Sequence, residues 1–152
     1  MKKIGNVSEE TEKLFDKIVE EAGLVHYMNV RCLYKLHQNQ IIKVSRASET
    51  TEHVGGCPDS VFIYINEDVF DRLTDRQKEL IAREAVNQIY YDSEKDKITI
   101  TQPQICCTVS GRQTFGEELI DTLEACVLIK EQLDEEEKER KSAEKAAKKK
   151  NK

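Results

Sequence analysis

Tryptophan is absent, and phenylalanine and tyrosine supply only 6% of the 152 residues. Buried rings anchor most tight protein interfaces, so a rich hot-spot surface is not expected here, which still leaves room for a modest one. No apolar run approaches the roughly 20 residues needed to cross a bilayer. The opening Met1-Lys2-Lys3-Ile4-Gly5 lacks the apolar stretch of a secretory signal, so a reducing cytoplasm is the expected setting. The five cysteines (Cys32, Cys57, Cys106, Cys107, Cys126) contain no Cys-x-x-Cys pair and read as reduced thiols, several of them in the core. Adjacent Cys106 and Cys107 lie too close for a relaxed bridge to each other. A thiolate metal site joining them to Cys57 or His53 would match no zinc spacing. The three histidines, His26, His37 and His53, form no spaced metal-binding pair.

Charge is what the chain has in abundance. Charged residues make up 35% against 38% hydrophobic, mean hydropathy is −0.64 and the formal net charge is −5. Its distribution is lopsided. From Lys141 to Lys152 six lysines face Glu144 alone, so residues 1–140 hold 18 basic against 28 acidic side chains, a net of −10. Such a body repels nucleic acid and anionic membrane, whereas the tail attracts both. The length suits one domain with a single core. We place that domain at 1–133 and a charged, lysine-rich extension at 134–152, either a solvated helix or a frayed end.

Ser8 followed by Glu9, Glu10 and Glu12 predicts a helix start, and Leu14, Phe15, Ile18, Val19 and Ala22 recur at helical spacing up to Gly23. Alternation from Met28 to Leu36 predicts a strand. The turn-prone Gln38-Asn39 then predicts a hairpin into a second strand at 40–45. Residues 47–60 read as a polar loop. Val61-Phe62-Ile63-Tyr64-Ile65 reads as a strand covered on both faces. A helical turn at 67–73, a capping box at Thr74 and Gln77, and a helix over 75–91 follow. Residues 97–101 predict a strand, 106–114 a loop, and the stretch after Gly116 a last helix burying Leu119, Ile120, Leu123 and Val127. The sum is an α+β domain with a small mixed sheet packed by helices.

The chemically suggestive segment is Arg83-Glu84-Ala85-Val86-Asn87. A zinc peptidase carries His-Glu-x-x-His on such a helix because residues i and i+4 share a face, so two imidazoles hold Zn²⁺ while the glutamate activates a bound water. Here the glutamate is Glu84, but Arg83 has no lone pair to offer and the oxygen of Asn87 suits harder ions. At helical spacing, Leu80, Arg83, Glu84, Asn87 and Tyr91 gather opposite an apolar face of Ile81, Ala82, Ala85, Val86 and Ile89. A plain surface helix gives the same division, with Arg83 and Asn87 solvated and Glu84 paired to a cation.

The stretch from Val61 to Tyr91 resembles the core of the zincin-like phage metallopeptidase family. The matching pieces are the apolar strand Val61 to Ile65, the helix start Leu73-Thr74-Asp75-Arg76-Gln77, the Arg83 to Asn87 pentapeptide, the exit Tyr91-Asp92 and the strand Lys97-Ile98-Thr99-Ile100. A looser likeness runs from Leu14 to Val127. Gln104 stands near where a downstream acidic group is expected. The resemblance implies a zincin-like minimal core and a bacteriophage origin, hence host cytoplasm or virion. It implies a catalytically inactive relative that binds a protein partner, with Glu84 the vestigial general base, Arg83, Asn87 and Tyr91 the walls of a vestigial cleft, and no metal. Two alternatives stay open. One is an active zinc peptidase with ligands elsewhere, Cys57, Cys106 and Cys107 among the candidates. The other is a nucleic-acid accessory protein acting through Lys141 to Lys152, which the acidic body disfavours.

Overall fold

The most apolar strand of a sheet gains most from an interior seat, where its backbone pairs on both edges. Strand β4 (Ser60–Ile65) takes that seat in this computed structural model, which describes residues 3–36, 38–103 and 107–150. His37, Gln104 and Cys106 therefore lie outside the described residues. Strand β1 (Ile4–Asn6) pairs antiparallel with β2 (Asn29–Lys35), β2 runs parallel to β4, and β3 (Ile42–Arg46) closes the other edge antiparallel to β4. The order is β1-β2-β4-β3.

This arrangement overturns the expected hairpin, because β4 separates β2 from β3. Gln38 does not sit at an exposed turn. It is buried, and its amide nitrogen donates to the carbonyls of Gln40 (2.8 Å) and Tyr64 (3.0 Å), stitching the loop to β4. Nor is β4 covered on both faces. Val61, Ile63 and Ile65 are fully buried on one side, while Phe62 and Tyr64 are half-buried on the other.

Helix α1 (Glu9–Glu21) starts at the Ser8 cap and turns away at Gly23, whose φ of 71° favours glycine. The segment expected to be a loop at 47–60 instead forms α2 (Glu49–Gly55). Ser48 caps it by accepting from the Thr51 amide at 3.2 Å. No residue of α2 is buried, so no apolar stripe announced it in the sequence. After α3 (Glu67–Phe70) comes α4 (Asp75–Asn87), entered through the reciprocal Thr74–Gln77 capping box. It ends earlier than expected, since Ile89–Asp92 is strand β5, hairpinned with β6 (Lys97–Ile100).

The 106–114 stretch is likewise not all loop, for α5 (Val109–Phe115) begins behind a Thr108 cap. Last comes α6 (Glu117–Lys150), so the extension is helical throughout its described part. Its buried stripe is Leu119, Thr122 and Cys126, whereas Val127, expected inside, is 58% exposed. The core joins Phe15, Ile18 and Val19 of α1, the inward residues of β4, and Ile81, Ala82, Ala85 and Val86 of α4 in one cluster. A small mixed sheet packed by helices is thus the architecture. None of the described helices is long and apolar enough to cross a membrane.

Ile63 sits at the middle of this cluster, with none of its surface exposed. Truncating it to alanine leaves a cavity that rigid neighbours cannot fill. The expected cost is about 2–5 kcal/mol of unfolding free energy, read from urea titrations.

Candidate functional site

Helix α4 is buried on more than its sheet-facing side. Leu80 and Glu84, predicted on the polar face, are 0% and 1% exposed because α5 and α6 cover them. A carboxylate sealed this way must be hydrogen-bonded or it costs several kcal/mol. Thr108 meets the need twice. Its amide donates to Glu84 Oε1 at 2.6 Å and its hydroxyl donates to Glu84 Oε2 at 2.9 Å. The same hydroxyl accepts from the Gly111 amide at 3.0 Å, which is the N-cap bond of α5. Glu84 therefore holds the start of α5 against α4, and among the described residues it is paired with no cation. Burial pushes its carboxyl above the usual glutamate value, while the two Thr108 bonds pull the other way without cancelling the effect.

The other motif residues point elsewhere. Arg83 donates to Glu79 (2.8 and 3.0 Å) and to Glu21 (2.9 Å), tying α4 to the last turn of α1. This guanidinium is also the main cause holding the Glu79 carboxyl below its ordinary value. Asn87 is exposed. Tyr91 belongs to β5, where its hydroxyl donates to Asp96 and its ring stacks on Tyr27 at 4.3 Å and 17°. The Asp96 bond is the foremost reason its hydroxyl is pushed up to about 12.

A cleft of about 520 Å³ runs between the edge strand β3 and helix α6. Its walls include Ile41, Lys43, Gln102 and Val127, and α4 with its C-cap contributes Glu84 and Gln88. The pair separated by one helical turn that borders this space is thus Glu84 and Gln88. Arg83 and Asn87 stand one residue back, rotated about 100° away. Neither of them lines the cleft, and neither does Tyr91, so the expected walls are replaced by others. Gln88 was missed by the sequence reading. It is 3% exposed, and its backbone carbonyl accepts from Thr101 at 2.7 Å. The signal that the sequence carries for it is its spacing of one helical turn from Glu84.

These donors do not fit a zinc ion. Both Glu84 oxygens already accept from Thr108, Arg83 is bound in ion pairs, and Asn87 faces solvent. Among the described residues no group of three His, Cys, Asp or Glu could hold a metal. His53 and Cys57 are exposed, while Cys107 is buried against Leu80 and Leu119. Cys126 borders the cleft, its thiol pushed up by burial to about 11, which disfavours the thiolate. No protein-family model matches the chain, and neither a curated protein nor a solved structure does.

Two outcomes follow from the Glu84 clamp. A carboxyl raised by folding stabilises most below its unfolded value, near 4.5, and that contribution is lost as pH climbs through the folded value. Urea titrations of Glu84→Gln against the parent should therefore shift in favour of the variant as pH rises from 4.5 to 7.5. A flat difference would mean that the carboxyl is not raised. Separately, Gly111→Ala should destabilise by about 1–3 kcal/mol, although alanine is the better helix former. The added Cβ would overlap Glu84 Oε2, and thermal unfolding measures the loss.

Proposed function

We propose that this chain is a catalytically inactive, metallopeptidase-like protein that works by binding another protein. The reading takes its family from the resemblance over Val61 to Tyr91 and its mode of action from the cleft. The observation that carries it is the orientation of the motif helix. The residue at the general-base position borders a peptide-sized cleft, yet both its oxygens are committed to Thr108, and the ligand positions Arg83 and Asn87 turn away. A glutamate in that state is engaged through both oxygens, so holding a metal or taking a proton from a bound water would compete with the contact that seats α5.

What remains is a surface suited to a protein segment. Strand β3 lies at the edge of its sheet, and the cleft beside it mixes the apolar Ile41 and Val127 with the carboxamides of Gln88 and Gln102. A bacteriophage origin, and with it a place in the host cytoplasm or the virion, follows from the resemblance alone.

A pool of unstructured peptides, titrated into isotopically labelled protein with and without one equivalent of Zn²⁺, tests this. Resonance shifts confined to Lys43, Gln88 and Val127, with no change in peptide length, are expected. Zinc-dependent cleavage that disappears in Glu84→Gln would make the protein an enzyme and overturn the reading. An absence of shifts at the cleft would overturn its protein-binding half.

A further inference from the structure

The body holds α6 only as far as its middle. Leu133 packs against the core and Glu136 pairs with Arg72 at 3.0 Å. Every residue from Lys138 to Lys148 is exposed. Over this free stretch the lysines are not scattered. At 100° per residue, Lys138, Lys141, Lys145 and Lys148 fall within an arc of about 80°. They rise along the axis in steps of roughly 4.5–6 Å. The opposite side carries Ala143, Ala146 and Ala147. After Lys141 the only acidic residue in the sequence is Glu144. Lys141 pairs with Glu137 at 2.6 Å, but Lys141 is exposed and Glu137 half-exposed, and ion pairs at such a surface contribute little.

The −10 of the body argues against a polyanionic partner only if body and stripe share a field. Arg140 is the last residue of α6 in the groove formed with Leu36 and Asp68. From there to Lys148 the helix advances roughly 12 Å at 1.5 Å per residue. The Debye length at physiological salt is about 8 Å, so the far end of the stripe is largely screened from the acidic body.

The chemistry of the stripe narrows the partner. No aromatic residue follows Phe115 in the sequence, so bases have nothing to stack on and single strands are poorly served. No large apolar residue follows Leu133, so the helix has no face to sink into a lipid surface. Lysine is a point charge without the planar fork of arginine, which suits phosphate oxygens and reads no base. We infer that the free end of α6 is a sequence-independent binding site for the phosphate backbone of duplex nucleic acid, separate from the cleft.

Fluorescence anisotropy with a labelled random-sequence DNA duplex tests this on the full chain. Four phosphate contacts predict that raising salt from 50 to 200 mM weakens binding by about 150-fold. Replacing Lys138, Lys141, Lys145 and Lys148 by glutamine should abolish binding, with circular dichroism confirming that the helix persists. A second variant combines Lys145→Ala, Ala146→Lys, Ala147→Lys and Lys148→Ala. It keeps composition and charge but breaks the stripe, and should lose at least tenfold. Undiminished binding by either variant would overturn the assignment. So would failure to bind duplex while retaining poly-glutamate, which would assign the stripe to an acidic protein, or while retaining phosphatidylserine vesicles, which would assign it to a membrane.

Discussion

A carboxylate can be buried only where donors await both its oxygens, and Thr108 brings two of them to Glu84 from a single residue. Much else in this half of the molecule follows from that contact. Thr108 can serve as clamp only because it also caps α5, and α5 can approach only because Gly111 has no side chain to strike the carboxylate. With α5 seated, Leu80 and Leu119 are sealed into a small second cluster beside the main core. Helix α4 thus becomes a central element, packed against the main core on one side and against α5 and α6 on the other.

That burial has a chemical consequence. Each oxygen of Glu84 accepts a bond from Thr108, so the carboxylate serves the fold first. Its raised proton affinity has the same origin as its structural role, since low-dielectric surroundings disfavour the charge that the two hydrogen bonds then partly rescue. Arg83 shows the complementary logic at the surface. It keeps its charge by bridging Glu79 and Glu21, and so secures α4 to α1 instead of entering the cleft.

Local signals in the chain were reliable where the backbone chemistry is local. The Ser8 cap, the Gly23 stop, the Thr74–Gln77 capping box and the apolar run of Val61 to Ile65 that marks a strand each involve residues within a few positions of one another. The misreadings concern partners distant in sequence. Nothing near Gln38 reveals that β4, more than 20 residues on, will insert beside β2 and dissolve the expected hairpin. Helix α2 escaped notice because it buries nothing. Val127 read as core because its spacing fits the stripe, but it lies at the cleft, where packing stops.

The sequence alone determined the α+β class, most element positions and the separation of an acidic body from a basic tail, because periodicity, caps and charge are written in neighbouring residues. Only the tertiary structure decided which side of α4 borders open space. A helix offers a new side every 100°, and the choice between Arg83 with Asn87 and Glu84 with Gln88 rests on where β3, α5 and α6 come to lie. Those elements are brought in from distant parts of the chain in either direction by long-range packing, and no local pattern in the chain records where they will meet.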